Sequence, residues 1–192
     1  MLARCVVLLG LASATILAGD QPLIEGNPDS ALRVVIYEDL QCPDCAAFRQ
    51  MLDEKLLPRF GGKVAFVHRD FPLPRHNWAR RAAIASRYFQ SLDPEIAVAF
   101  RRYALAHLKE ISSGNFSGKL AEFARSHSAD PDRAVAALNE SELDAEVERD
   151  YQDGIARGVA HTPTVLVSEQ PFIEQFSFED IAAAIERALS GK

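Results

Sequence analysis

The sequence predicts an α/β protein in which a β-α-β unit is followed by a helical insertion and then by a β-β-α unit. Two short apolar runs, at 33–38 and 63–69, flank a stretch whose apolar residues have helical spacing. Residues 76–158 contain helical patterns and no clear strand, and strand character returns only after them. The chain has 192 residues and 48% hydrophobic content, enough for the core of one domain with an insertion.

The β-α-β unit is predicted over the first third of the chain. A short strand at 23–25 precedes a turn, and the run at 33–38 is the first clear strand. Apolar spacing predicts a helix over 43–57, which Pro58 is expected to end or kink. The alternating run at 63–69 completes a crossover that is long enough to join two parallel strands.

Several helices are predicted in the insertion, and two of them begin with an Asp-Pro pair. Asp93 and Asp130 each precede a proline, so we expect the acid to cap the helix and the proline to take its first position. The predicted helices span 76–90, 94–110, 117–127, 131–139 and 142–157.

The β-β-α unit is predicted after the insertion. It consists of strands at 164–167 and 171–175 and an amphipathic helix at 178–189. The expected division of the chain is a leader at 1–19, a first half of the α/β part at 20–75, a helical insertion at 76–158 and a second half at 159–192.

Residues 1–19 read as a secretory signal peptide. Arg4 is the only charge before Asp20, and an apolar run of signal-peptide length follows it. Cleavage is possible after Ala14, or after Ala18 or Gly19, and an uncleaved anchor is the alternative. We therefore expect a periplasmic or otherwise extracytoplasmic protein.

The charge pattern gives no sign of a nucleic-acid partner. The formal net charge is −6, from 21 basic and 27 acidic residues that are interspersed along the chain. Nucleic-acid binding requires a basic patch, so this class of partner is not expected.

Cys42 and Cys45 carry the strongest chemical signal, because they are the only cysteines outside the leader. They follow the strand at 33–38, and Pro43 between them suits the first position of a helix. A helix N-terminus stabilises negative charge, so Cys42 is expected to be the thiolate nucleophile. Cys45, one turn deeper, would be the resolving thiol in disulfide exchange.

The sequence gives less support to two other interpretations of this cysteine pair. A zinc site needs about four ligands, but the chain has no second cysteine pair, and its histidines lack the spacing of a zinc motif. A purely structural disulfide across so short a loop would constrain the unfolded chain little. The sequence therefore predicts redox chemistry that needs no metal or organic cofactor.

These features together resemble the DsbA-like thiol–disulfide oxidoreductases, which have a thioredoxin-like fold with an inserted helical subdomain. The resemblance runs from about residue 26 to residue 189. The segments that carry it are the Cys-Pro-Asp-Cys at 42–45, the entry turn at 26–29, the passage into the insertion at 69–83 and the loop at 158–164.

The resemblance implies roles for residues on either side of the insertion. Cys42 would be the attacking thiol and Cys45 the resolving thiol. Pro163 would follow a cis peptide bond and pack against the disulfide, with Thr162 beside the sulfur atoms. Backbone before a cis proline can pair with an extended polypeptide substrate.

The chain departs from the family pattern at two places. The pair between the cysteines is Pro43-Asp44, where strongly oxidising members carry Pro-His. The buried acid that the family usually has six residues before the first cysteine is Ile36 here. Glu38 and Asp39 lie nearer to Cys42, and either of them is a candidate for proton transfer; solvated charges at a strand end are the alternative.

The predicted function is exchange of disulfides with cysteine-containing exported proteins, with net oxidation of the substrate. A membrane redox partner would reoxidise the dithiol. The alternatives are a reductase or isomerase on the same fold, or a protein that binds Cu(I) through the same thiols.

Overall fold

The sheet of the predicted α/β fold is present in the computed structural model, which describes residues 21–191. Its strands lie in the order β1-β3-β2-β4-β5. Strands β2 and β3 are parallel, and the remaining neighbours are antiparallel. The strands are β1 (Leu23–Gly26), β2 (Arg33–Glu38), β3 (Ala65–Asp70), β4 (Thr164–Val167) and β5 (Gln170–Ile173).

The helices follow the predicted order, with most of them between β3 and β4. The bounds are α1 (Pro43–Met51), α2 (Leu57–Phe60), α3 (Ala79–Leu92), α4 (Pro94–Ala106), α5 (Phe116–Ser126), α6 (Pro131–Ala136), α7 (Ser141–Ala156) and α8 (Phe178–Leu189). A π-helical turn, Leu52–Leu56, joins α1 to α2, and a 3₁₀ turn, Ala137–Asn139, follows α6. The thioredoxin-like fold class is thus confirmed.

The sequence predicts that Pro58 either ends or kinks the first helix. The structure shows that the helix does not end there. The helical path continues through α2 to Phe60, with Pro58 in the first turn of that segment. In an unbroken α-helix a proline clashes with the carbonyl four residues earlier and lacks the N–H for that bond. The wider π turn immediately before α2 changes this pattern and accommodates the ring.

The insertion shows the predicted caps and two shifted boundaries. Asp93 accepts a hydrogen bond from the Glu95 N–H at 2.8 Å, and Asp130 accepts from the N–H groups of the first turn of α6. Helix α3 begins at Ala79 rather than at 76, after a run of turns. Helix α4 ends at Ala106 rather than at 110, where His107 leaves helical geometry.

Buried side chains line both faces of the sheet. Ile36 and Phe66 face α1 and α8 together with Phe48 and Ile185, and all four are at most 3% exposed. On the other face Tyr37 packs with Phe71 and Val159. The helical insertion has its own aromatic centre of Phe89, Phe100 and Phe123, whose ring centroids lie 5.1 Å apart.

Charged side chains are also buried between the sheet and the insertion. Asp70 on β3 accepts hydrogen bonds from Arg101 on α4 at 2.8 Å and from Arg87 on α3 at 2.7 Å. Arg87 also pairs with Asp150 on α7. Such groups are costly to bury unless they are paired, and here the sheet residue Asp70 is paired with two arginines of the insertion.

The predicted signal peptide at 1–19 lies outside the described residues. Among residues 21–191, no helix combines the length and the apolar character that a membrane span requires.

Candidate active site

Cys42 caps the N-terminus of α1, as the sequence predicts. Its backbone is extended, with φ −85° and ψ 126°, and Pro43 takes the first helical position. Its carbonyl accepts the Ala46 N–H at 3.1 Å. The Cys42 thiol donates a hydrogen bond to the Thr162 carbonyl at 3.3 Å, across 120 residues of sequence. The fold therefore brings together the two motifs that lie on either side of the insertion.

The pKa values of the two thiols are shifted in opposite directions. The hydrogen bond from the Cys45 thiol is the largest influence on the pKa of Cys42. Burial opposes it, the Thr162 side chain and nearby backbone amides reinforce it, and the pKa is lowered from 9.0 to about 6. Burial, Cys42 itself and the charge of Glu38 raise the pKa of Cys45 well above 9.0. At neutral pH the site therefore favours a thiolate on Cys42 and a thiol on Cys45.

The Thr162–Pro163 peptide bond is cis and borders Cys42, which confirms both parts of that prediction. Thr162 is fully buried beside the cysteine. The loop is held from its far side, because the Pro163 carbonyl accepts the Glu174 N–H at 2.9 Å. His161, the residue before Thr162, is exposed and pairs with Glu174 at 3.1 Å.

Pro43 and Asp44 are both exposed in the first turn of α1. The backbone amide of Asp44 contributes to the low pKa of Cys42. The Asp44 carboxylate, in contrast, adds negative charge at the end of the helix that stabilises the thiolate.

Asp39 lies directly beneath the dithiol. Its N–H donates to the Cys45 sulfur at 3.4 Å, and its carboxylate accepts from Leu73 N at 2.7 Å and from His76 Nδ1 at 2.8 Å. Burial raises the pKa of Asp39 even though the amides of Leu73 and Gln41, and His76, act in the opposite direction. The prediction that this acid could be a solvated strand-end charge is wrong, because Asp39 is 1% exposed.

Glu38 is buried as well, which excludes a solvated position for it too. It lies on the face of β2 that also carries Ile36, two residues earlier, because side chains alternate along a strand. Its carboxylate accepts from Arg101 Nε at 3.2 Å and contacts His68 Nδ1. Burial would raise the pKa of Glu38, but Arg101 and His68 outweigh it and lower that pKa to about 2.

The partners of Glu38 were not evident from the sequence. His68 is buried on β3, in register with Ile36, and its Nε2 contacts Glu25 on β1 at 2.9 Å. Arg101 belongs to a helix of the insertion. The available signal was a histidine within a strand that is otherwise mostly apolar, and it indicates a buried partner only once the neighbouring strands are known.

Residues 19–187 match the family model described as thioredoxin. The chain belongs to the thioredoxin family. Among curated relatives, Disulfide bond formation protein D of Bacillus subtilis (strain 168) is 25% identical over 183 residues, which cover 90% of this chain and 81% of that protein.

Solved structures of other proteins show the same fold. Oxidised BdbD from Bacillus subtilis superposes with a TM-score of 0.79 at 24% identity, covering 88% of this chain and 93% of that chain. The thiol-disulfide exchange protein alpha-DsbA2 from Wolbachia pipientis gives a TM-score of 0.74 at 20% identity and covers 86% of each chain. The resemblance to the DsbA-like proteins is therefore confirmed at the level of the fold.

Proposed function

We propose that this thiol–disulfide oxidoreductase of DsbA type acts outside the cytoplasm as an oxidase of cysteine pairs in other exported proteins. The observation that carries the proposal is the asymmetry of the dithiol. Cys42 has a pKa lowered to about 6, whereas the pKa of the buried Cys45 is raised. A stabilised Cys42 thiolate favours the reduced enzyme, and hence electron flow from substrate to enzyme.

Oxidation proceeds through two exchanges. A substrate thiolate attacks the Cys42 sulfur of the Cys42–Cys45 disulfide, which forms a mixed disulfide and releases Cys45 as a thiolate that takes up a proton. A second substrate thiolate attacks the substrate sulfur of the mixed disulfide and releases Cys42 as a thiolate. The substrate has lost two electrons, the enzyme has gained them, and protein thiols alone take part.

Substrate would bind as an extended segment along the loop that contains Thr162 and Pro163. This loop borders Cys42, and main-chain pairing with such a loop does not depend on substrate side chains. That mode of binding suits an enzyme that acts on many unfolded chains.

Regeneration requires an oxidant, for which we propose a membrane redox partner. The Cys42 thiolate would attack a disulfide of that partner, and Cys45 would then resolve the mixed disulfide after losing its proton. An oxidising compartment, reached through the leader, suits this cycle because cytosolic thiols are kept reduced.

The reduction potential of the Cys42–Cys45 pair tests the direction of electron flow. The oxidised protein is incubated with a reduced, unfolded two-cysteine protein, and its potential is measured in a glutathione buffer. We expect substrate disulfides to form and a potential between those of thioredoxin and DsbA, about −270 and −120 mV. A potential at or below that of thioredoxin would favour the reductase alternative, and Cys42→Ser is the inactive control.

A further inference from the structure

A cleft of about 470 Å³ lies between α1 and α4 and begins one helical turn from Cys42. Ala46 and Ala47 line its near end, and Glu54 lines its far end. Residues four apart lie on the same face of a helix, so Ala46 follows Cys42 down α1, and Ala47 follows Pro43. The cleft therefore adjoins the surface on which Cys42 exchanges disulfides.

A second cleft, of about 540 Å³, lies between α4 and α5. Tyr103 and Phe123 are among its lining residues, and their ring centroids are 5.2 Å apart. Arg102 and Ala106 line both clefts, so the two clefts meet near the end of α4. Together they form one depression, the α4 trough. Each volume lies within the range of sites that take ligands, roughly 300–1,000 Å³.

Small side chains keep the first cleft open. Ala47 and Ala106 are exposed, Ala46 is half-buried against the core of the insertion, and the buried Leu105 lies between them. Methyl groups offer neither charge nor hydrogen bonds, so this floor favours a ligand that lays apolar atoms on it. Exposed apolar surface with polar side chains such as Gln50 at its rim is typical of an interaction site.

Arg102 lies where the two clefts meet and has a free donor group. Its Nε contacts Asp53 at 3.0 Å, and its Nη2 contacts Asp53 at 2.7 Å and Glu25 at 2.8 Å. Among residues 21–191, no acceptor contacts its Nη1. Arg49 pairs with the same two carboxylates, so these four side chains are neutral as a set. Nη1 therefore suits a neutral acceptor, such as a main-chain carbonyl.

We propose that the α4 trough binds an extended segment of the substrate polypeptide, next to the cysteine that reacts with Cys42. Apolar side chains of the segment lie on the alanine floor, and one of its main-chain carbonyls accepts a hydrogen bond from Arg102 Nη1. A large apolar side chain farther along reaches Tyr103 and Phe123. Unfolded proteins expose such side chains, which folded proteins mostly bury, so the trough favours unfolded substrates. The inference rests on the proposed function and adds a second contact to the one at the cis-proline loop.

The dimensions of the trough set the position of the large apolar residue in the substrate. From Cys42 to Gln50 the chain advances eight residues, about 12 Å along α1. An extended polypeptide covers about 3.3 Å per residue and crosses this distance in about four residues. The side chain that enters the second cleft is therefore expected about five residues from the substrate cysteine.

The test measures the equilibrium of thiol exchange at Cys42. Cys45→Ala protein is loaded with glutathione on Cys42 and incubated with an uncharged single-cysteine peptide, and mass spectrometry gives the ratio of peptide-bound to glutathione-bound protein. One peptide carries Trp about five residues before its cysteine, one carries it about five residues after, and one carries Ser at both places. We expect at least one Trp peptide to be favoured over the Ser peptide about tenfold, as burial of an aromatic side chain predicts.

Matched variants locate this preference. Ala106→Gln and Ala106→Trp fill the point where the two clefts meet, without and with an aromatic ring, and each should reduce the preference below about twofold. Ala183→Trp introduces the same ring at an exposed position of α8 and should keep the full preference. Each preference compares peptides on one protein, so a change in the reactivity of Cys42 cancels.

Each outcome decides a separate point. If the three peptides bind equally, the trough is not a substrate site, although the proposed function stands. If both Ala106 variants keep the preference for Trp, the peptide lies elsewhere and the inference is wrong. If the free protein sediments as a dimer that Ala106→Gln dissociates, a second copy of the chain occupies the trough instead. If no peptide forms a mixed disulfide, the proposed function fails and the inference fails with it.

Discussion

Replacing Asp44 by histidine should lower the pKa of the Cys42 thiol and raise the reduction potential of the dithiol. Asp44 lies two residues after Cys42 in the first turn of α1 and is exposed. Its carboxylate opposes the thiolate that the helix N-terminus and neighbouring amides stabilise. Removing this charge stabilises the reduced form, whereas the uncharged disulfide is affected little.

The expected size follows from the exposure of the carboxylate. Two unit charges about 7 Å apart in water-like surroundings repel each other by about 0.6 kcal/mol. Removing this repulsion should lower the pKa of Cys42 by about 0.4 unit in Asp44→Asn. The decrease should be about twice as large in Asp44→His when the imidazole is protonated. The potential should rise by about 13 mV for Asp44→Asn, since about 30 mV corresponds to 1.4 kcal/mol for two electrons.

The assay is the thiolate absorbance as a function of pH, together with a glutathione titration. Glu54→His changes the net charge equally, but lies about 15 Å farther along the helix, beyond the screening length of about 10 Å at 0.1 M salt. It should leave both quantities unchanged. If the pKa and the potential stay constant in Asp44→His, or move in the opposite directions, the electrostatic account of Asp44 is wrong.

Three further predictions concern the cysteines, a glycine contact and acid stability. Cys45→Ala should accumulate mixed disulfides with substrates on non-reducing gels, whereas Cys42→Ala should accumulate none; the opposite pattern would exchange their roles. Gly154→Ala should lower the free energy of unfolding by about 1–3 kcal/mol, because its Cβ would lie 2.6 Å from an aromatic ring carbon. Gly118→Ala in another helix meets nothing within 4 Å and should raise that free energy by about 0.5–1 kcal/mol; equal thermal shifts in the two variants would contradict this. Folding lowers the pKa of Glu38 from 4.5 to about 2. The stability that its ionised carboxylate contributes to the fold is therefore present above pH 4.5 and is lost as the pH falls toward 2. Glu38→Gln should therefore flatten the pH dependence of urea unfolding in that window, and an unchanged slope would show that Glu38 does not contribute to it.

The dithiol and its helix were predictable because local rules govern them. A strand followed by Cys-Pro-Asp-Cys places Cys42 at a helix N-terminus through the conformational preference of Pro43, and the structure has this arrangement. The Asp-Pro caps of α4 and α6 are likewise short-range hydrogen bonds that two or three adjacent residues specify. The cis bond before Pro163 came instead from the resemblance to a known family.

Pro58 shows a limit of local rules, because the helix continues past it to Phe60. The expectation that a proline ends a helix assumes unbroken α-helical geometry. The π turn before it removes that assumption, and no residue type in the sequence marks such a turn.

The surroundings of Cys45 depend on contacts between distant segments. Glu38 meets His68 only because β2 and β3 pair in parallel with a particular register, and it meets Arg101 only because α4 packs over that face of the sheet. A carboxylate at a strand end has the same sequence pattern whether it is solvated or buried, and desolvation and opposite charges then set its pKa. The sequence thus specified the reactive pair through neighbouring residues, whereas the acids and the histidine beneath it acquired their environment from strand register and helix packing.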